Sequence, residues 1–230
     1  MRHAAFGRAA LLLAAAVCAG AWSACRKPPA SAVVVALPTG PSAWVPWMAS
    51  EEYTGLVLLN VFEPLVDTSG DLGLRPHLAE SWETPDDRTW IFRLRPGVEL
   101  HDGRALTARE VVASLTAARD DPASRRKPEL AGVESIEARD ARTVVLRTRF
   151  PFSPLPNRLT ELAIAVPALQ AGAPPVGSGP YRIQDWNLQG DIVLSAFEGY
   201  WRGAPSVRSL SFRVIPNDLT RSRNCSPTAA

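Results

Sequence analysis

The segment His101–Glu110 ("HDGRALTARE") contains the side chains of this chain that are best suited to bond chemistry. A His beside an Asp could relay a proton or hold a metal ion, with Glu110 as a further acid, base or ligand. This segment supports one enzyme hypothesis, a secreted enzyme that uses His101, Asp102 and Glu110. The sequence contains no Gly-x-Ser-x-Gly, His-Glu-x-x-His or phosphate-loop motif.

The same segment also fits a turn followed by the start of a helix. Asp102 and Gly103 form a turn signal, and Thr107-x-x-Glu110 has the spacing of a capping box. Adjacent residues on an extended segment point to opposite faces, so His101 and Asp102 are poorly placed to share a metal or a proton. The scaffold interpretation is favoured over a catalytic one, and no catalytic residue, metal or cofactor is expected.

The helices and strands predicted around this segment indicate a mixed α/β fold. A helical apolar face (Val111, Val112, Leu115 and Ala118) follows the capping box. The β-branched run 32–37 predicts a buried strand, and alternation over 88–95 predicts a half-buried one. Two strands about a turn near Asp140 are predicted in 133–150, and two more in "DIVLSAFE" and "VRSLSFRVI". A helix face of Tyr53, Leu56, Val57, Asn60 and Val61 is predicted, with Ser50 as its N-cap and Pro64 beyond its end.

The first residues have the layout of an export signal. Arg2 and Arg8 precede an apolar run from Ala9 to Ala21, which is short for a transmembrane helix. Cleavage after Ala19-Gly20-Ala21, which fits the small-x-small rule, would release a soluble product. The stretch 22–25 resembles a bacterial lipobox, which favours a signal peptide over 1–24, lipidation of Cys25 and a linker over 25–31. The remaining cysteines, Cys18 and Cys225, predict no disulfide or metal site.

The charge balance argues against a nucleic-acid partner. The chain of 230 residues has 25 Lys and Arg and 23 Asp and Glu, and 25 − 2 leaves 23 basic residues once Arg2 and Arg8 are removed. A near-neutral chain lacks the basic field that phosphate backbones require. Its 46% hydrophobic and 21% charged residues are ordinary for a globular protein.

Six segments together resemble the extracytoplasmic solute-binding proteins of ABC importers, in the class that includes oligopeptide-, dipeptide- and nickel-binding proteins. In chain order they are "LNVFEPLV", "LRPHLAESWE", "TWIFRLRPGVELHDGRALTAREVVASL", "PVGSGPYRIQDW", "IVLSAFEGYWRGAP" and "LSFRVIP". The resemblance spans about residues 60–216. It implies a non-catalytic, monomeric binding protein of type II periplasmic-binding-protein fold, which closes on its solute and works with permease subunits. A periplasmic or cell-surface location and a lipid anchor agree with it.

The resemblance also implies a domain organisation. Residues 32–61 and 174–216 would form a discontinuous, incomplete first lobe, and 62–173 an inserted subdomain that contains His101. After "FRVIPNDLTR" the family pattern stops, and 217–230 form an atypical tail. A truncated or frameshifted product without the second lobe is the favoured interpretation, and a short protein completed by another chain is the alternative. Truncation would leave open strand edges, a liability for aggregation.

The resemblance places the ligand near the loop and helix start that follow the first strand. The candidates there are Ser50, Glu51, Glu52 and Tyr53, with Trp44 and Trp47 as aromatic walls. An ordinary acidic first helical turn and core packing of both tryptophans are the alternatives. Trp201 is expected to be a packed turn residue. The function implied is binding of a peptide or similar small solute, and the other possibilities are the enzyme above and a ligand-less structural remnant.

Overall fold

The computed structural model describes residues 32–167, 174–185 and 191–224. The predicted signal peptide, linker and Cys25 lie outside these residues, as does the end of the tail from 225. The helices are α1 (Glu52–Leu58), α2 (Ala108–Asp120), α3 (Leu155–Leu159) and α4 (Asp218–Asn224), with 3-10 turns at Pro46–Met48 and Lys127–Leu130. The strands are β1 (Ala32–Leu37), β2 (Glu63–Pro64), β3 (Val66–Thr68), β4 (Leu74–Pro76), β5 (Ala79–Glu83), β6 (Thr89–Leu94), β7 (Val133–Asp140), β8 (Thr143–Thr148), β9 (Ala163–Ile164), β10 (Tyr181–Asp185), β11 (Ile192–Ala196) and β12 (Ser209–Val214).

Two four-stranded sheets organise the described chain. The first sheet has the order β1-β12-β11-β10, in which β1 is parallel to β12 and the other pairs are antiparallel. The second sheet has the antiparallel order β5-β6-β8-β7. The pairs β2-β9 and β3-β4 form two short ribbons. The mixed α/β prediction is therefore confirmed.

Each sheet has its own apolar core. One core packs α1 against the first sheet through Val57, Leu58, Ile192 and Leu194. The other packs α2 and α3 against the second sheet through a larger set: Phe92, Leu94, Val111, Leu115, Leu146, Leu155 and Leu159. Trp47 is partly buried against both cores. The segment that leads into α1 is therefore fixed where the two cores meet.

The helix α2 begins as the sequence predicts. Thr107 adopts the extended conformation of an N-cap, and the reciprocal capping box with Glu110 is present. The Thr107 backbone N–H donates to Glu110 Oε2 at 3.0 Å. Val111, Leu115 and Ala118 are buried, whereas Val112 is only partly so. The capping box and the apolar face of the helix are confirmed.

Two strand predictions need correction. Strand β1 is not buried along its length, because Val33 and Val34 are 40% and 58% exposed. Among the described residues β1 pairs only with β12, so it lies at a sheet edge, where Leu37 is buried in the core and Val35 packs against it partly buried. Strand β6 is more buried than a half-buried strand, since it lies between β5 and β8. On its second face Thr89 and Ile91 are buried and Arg93 alone is exposed.

The helix predicted before Pro64 is shorter than expected. It begins at Glu52, with Glu51 in the N-cap position and no side-chain cap, so Ser50 is not its cap. It ends at Leu58, several residues before Pro64, which belongs to β2. Val57 and Val61 are buried, but Leu56 is 45% exposed. In the tail, α4 is a helix that no sequence pattern indicated, and the Asn217 side chain accepts from the Thr220 backbone N–H at its start.

Candidate functional site

The segment 44–53 carries all the predicted ligand-facing residues. After β1 the chain runs through an irregular loop and the 3-10 turn Pro46–Met48 before α1 begins. Ser50, Glu51 and Glu52 are exposed, whereas Tyr53 is partly buried against the core of the first sheet. The three polar residues are therefore available to a ligand, and Tyr53 presents part of its ring to the core.

Glu51 is held as a carboxylate by neutral donors. Its Oε2 accepts from Ser42 Oγ at 2.6 Å, and from the Ser50 backbone N–H and Thr54 Oγ1 at 3.4 Å each. These hydrogen bonds, that of Ser42 above all, lower the pKa of Glu51 below its usual range. Among the described residues no Lys, Arg or His nitrogen lies within ion-pair distance of Glu51. The negative charge of Glu51 is thus left without a cation.

The two tryptophans serve mainly as packing residues. Trp44 is 9% exposed and belongs to the core of the first sheet. The Trp47 indole N–H donates to Asp121 Oδ2 at 3.1 Å, and its backbone carbonyl accepts from the Arg125 N–H at 2.8 Å. These contacts fix the loop before α1. A role of Trp44 and Trp47 as ligand-facing walls stays a prediction.

A pocket of about 180 Å³ opens beside this segment. It lies between α1 and the end of α3 with the residues that follow it. Its lining is mostly apolar, with three charged side chains, and consists of Pro46, Ala49, Glu51, Gly55, Leu58, Leu59, Pro64, Arg126, Thr160, Glu161 and Ala163. Glu51 is therefore the one predicted ligand residue that also lines this pocket.

His101 does not converge with Asp102 and Glu110. His101 Nε2 donates to the Gly179 carbonyl at 2.9 Å, and its ring packs edge-on against Phe197 at 5.1 Å. Asp102 accepts from the Arg104 guanidinium, and Glu110 serves the capping box. Burial is the main cause that lowers the pKa of His101 below its ordinary value. Within the described residues, no group of three or more His, Cys, Asp or Glu side chains could hold a metal ion.

Sequence reasoning missed a buried carboxylate at Glu63, which is 3% exposed. Its Oε1 accepts from His77 Nε2 at 2.9 Å and from the Tyr200 hydroxyl at 2.8 Å. Its Oε2 accepts from the Ser178 hydroxyl at 2.8 Å and from the Trp201 indole N–H at 3.0 Å. The available signal was a Glu flanked by apolar residues in "NVFEPLV".

The Glu63 cluster, formed by Glu63, His77, Ser178, Tyr200 and Trp201, connects distant parts of the chain. Two guanidinium groups cover the Trp201 ring, with Arg95 at 4.6 Å and Arg202 at 4.4 Å from its centroid. Trp201 is therefore a packed residue as predicted, and it also donates a hydrogen bond into a buried polar network.

Comparison with known proteins identifies the family of this chain. Residues 73–225 match the family described as bacterial extracellular solute-binding proteins, family 5 middle region. This match covers well over half of the chain.

The chain belongs to this family.

One relative of this family 5 protein is the glutathione-binding protein GsiB of Escherichia coli O1:K1, which is 31% identical over 204 residues, 84% of this chain and 40% of the relative. The solved structure of AgaA from A. tumefaciens R10, in complex with agropinic acid, has a TM-score of 0.76 at 28% identity, over 84% of this chain and 41% of that one. DppA from Helicobacter pylori, an ABC transporter-associated periplasmic binding protein in complex with the peptide STSA, has a TM-score of 0.75 at 24% identity, over 84% and 44% of the two chains.

The comparisons confirm the type II periplasmic-binding-protein fold and the solute-binding family that the sequence resemblance implied. The relatives are solute-binding proteins rather than enzymes. The chain spans about 40% of the length of the curated relatives it matches. Within the part of the chain that the structure describes, no helix has the length and apolar character needed to cross a bilayer.

Proposed function

We propose that this chain acts as the extracytoplasmic substrate-binding component of an ABC importer, with a peptide or a similar small solute as its ligand. The observation that carries the proposal is the 31% identity to a glutathione-binding protein along 84% of the chain. A small solute as ligand is also supported by the structural relative AgaA, which is in complex with agropinic acid. The partners are the solute and the permease subunits, and the chain is a monomer.

The proposed ligand-facing residues are Ser50, Glu51, Glu52 and Tyr53, with Trp44 and Trp47 behind them. Exposure of the first three and the uncompensated charge of Glu51 support this assignment. Extended peptides bind proteins through backbone hydrogen bonds, and a carboxylate can pair with a peptide amine. Ser50, Glu51 and Glu52 offer an exposed hydroxyl and two exposed carboxylates as recognition groups.

The proposed role is binding without bond chemistry. His101, Asp102 and Glu110 each have a separate structural partner, which supports this proposal. The two sheets support the proposed division into a first lobe (32–61 and 174–216) and an inserted subdomain (62–173), because the first sheet draws its strands from the former and the second sheet from the latter.

Calorimetric titration of the purified chain with glutathione and a panel of di- and tripeptides tests the proposal. Saturable heat from one of these ligands, without consumption of the ligand, is the expected result. No heat from any of them would favour a ligand-less remnant and overturn the proposal. Turnover of a ligand that disappears in the His101→Gln variant would instead support the enzyme hypothesis.

Export and lipid anchoring are a separate proposal. It rests on the signal-like layout of residues 1–24 and on the lipobox-like stretch before Cys25. Metabolic labelling with palmitate should mark the full chain in a bacterial host, and Cys25→Ser should remove the label. An unlabelled protein in the soluble periplasmic fraction would indicate cleavage after Ala21 instead.

A further inference from the structure

The pocket beside α1 is too small for a whole solute. Sites for drug-sized ligands enclose roughly 300–1,000 Å³, whereas this pocket holds about 180 Å³. Its walls come from Pro46, Ala49, Leu58, Pro64 and Ala163, so its interior is largely apolar. A space of this size and character suits one side chain of a larger ligand.

The charges at this pocket do not balance. Arg126 Nη1 lies 3.5 Å from Glu161 Oε2 and 3.6 Å from Glu129 Oε1, so this guanidinium is already compensated by carboxylates of the protein. Among the residues that the structure describes, the donors to Glu51 are two hydroxyls and a backbone N–H. Of the charged lining residues, two are acidic and one is basic. The lining therefore carries a net negative charge.

An apolar interior with an anionic lining complements a side chain with an aliphatic stem and a cationic end. Lys and Arg side chains place their methylene groups against apolar surface and keep the charged group at the polar boundary. Leu58 and Ala163 provide the apolar surface, and Glu51 provides the carboxylate. An acidic side chain of the ligand would be repelled by Glu51, and a purely aliphatic one would leave Glu51 without a cationic partner.

We propose that this pocket is a specificity subsite that receives a lysine- or arginine-type side chain of the bound peptide, with Glu51 as the residue that selects for its charge. The proposal rests on the proposed function, since it requires that the chain bind peptides. The pocket then holds one cationic side chain, and the chain prefers peptides that contain lysine or arginine.

Gly55 allows the pocket to be filled without damage to the fold. It lines the pocket, and a Cβ at this position would meet no heavy atom within 4 Å. Because Gly55 lies inside α1, a leucine there also has a better helix propensity than the glycine. Gly55→Leu should therefore occupy the pocket while the protein stays folded.

The test is calorimetry of the whole chain with tripeptides that carry lysine, norleucine or glutamate at each of the three positions in turn, with alanine elsewhere. At one position the lysine peptide should bind about fivefold more tightly than the norleucine peptide, the range expected for a partly exposed ion pair. Glu51→Gln should abolish this difference, and Glu137→Gln, an exposed carboxylate on β7, should retain it. Gly55→Leu should weaken lysine-peptide binding about tenfold, and circular dichroism should confirm that it is folded.

The possible failures are distinguishable. If no peptide binds the wild-type chain, the proposed function fails and the subsite fails with it. If peptides bind but lysine and norleucine are equivalent at every position, or Glu51→Gln keeps the preference, the subsite proposal alone is wrong. Unchanged binding of the lysine peptide to folded Gly55→Leu would likewise show that the side chain lies elsewhere.

Discussion

His77 Nε2 lies 2.9 Å from Glu63 Oε1, and the two residues are only 7% and 3% exposed. The Arg202 guanidinium donates to the other ring nitrogen, Nδ1, at 3.1 Å. Since a guanidinium cannot accept a hydrogen bond, the ring hydrogen must be on Nε2, where it is donated to Glu63. A carboxylate that would be costly to bury alone is thus saturated by donors from several separate chain segments.

Glu63→Gln should destabilise the protein strongly while it preserves the shape of the side chain. The amide has one acceptor oxygen, and its NH2 group would face two of the donors that now serve the carboxylate. We expect a loss of about 3 kcal/mol in the free energy of unfolding, because a buried charged acceptor is removed and buried donors are left without a partner. Urea denaturation measures it. Glu137→Gln is the control and should change the free energy by less than about 0.5 kcal/mol.

The same carboxylate should make the protein sensitive to acid. Burial raises the pKa of Glu63, but hydrogen bonds from His77, Trp201 and Ser178 outweigh it and hold the pKa below its ordinary value of 4.5. A carboxyl group with a lowered folded-state pKa stabilises the protein above its unfolded pKa, and this contribution is lost as the pH falls through the folded value. The difference in stability between wild type and Glu63→Gln should therefore be constant near neutral pH and shrink below about pH 4.5.

Urea midpoints measured from pH 7 to pH 3 on both proteins test this expectation. The two curves should converge in acid because protonated Glu63 and glutamine both lack the negative charge. Parallel curves down to pH 3 would mean that Glu63 is already protonated, or exposed, in the native protein.

Local sequence signals predicted the elements whose causes are local. Strands β7 and β8 follow from alternation about the turn at Asp140, and the start of α2 follows from the Thr107–Glu110 spacing. Local sequence signals could not predict the exposure of Val33 and Val34. A run of β-branched residues predicts a strand, but its burial depends on which strands flank it, and β1 lies at an edge.

The candidate site was only partly predictable for the same reason. The ligand-facing segment came from resemblance, but the pocket beside it requires residues about 110 positions later, such as Glu161 and Ala163. Glu63 receives donors that are 115 and 138 residues away in sequence, from Ser178 and Trp201. No spacing rule connects such positions in a single sequence, so a charged residue within an apolar run was the only local signal.

Gly177 should tolerate no side chain. A Cβ there would lie 2.0 Å from the Val61 carbonyl oxygen and 2.8 Å from Phe62 Cδ1. The backbone of the segment 177–179 therefore packs directly on the chain just before Glu63, and a methyl group would force the two apart. Gly177→Ala should reduce the free energy of unfolding by about 3 kcal/mol or more.

The matched control for this substitution is Gly70→Ala. A Cβ at Gly70 would meet no heavy atom within 4 Å, and its backbone does not require glycine. Its denaturation midpoint should stay close to that of the wild type. Equal effects of the two substitutions would show that the contact between the segment 177–179 and Val61 is not close.

His101 should report a second pH dependence, at higher pH than Glu63. Burial lowers the pKa of His101 below 6.5, although its hydrogen bond to the Gly179 carbonyl opposes this shift. As the pH falls below about 6.5 the unfolded chain takes up a proton before the folded one, so the contribution of His101 to stability is present above that pH and declines below it. His101→Gln removes the titrating group but retains a donor for Gly179. Urea midpoints from pH 7.5 to pH 5.5 should therefore fall less steeply for His101→Gln than for the wild type, with ligand binding at pH 7.5 unchanged, whereas equal slopes would show that His101 titrates alike in the folded and unfolded chains.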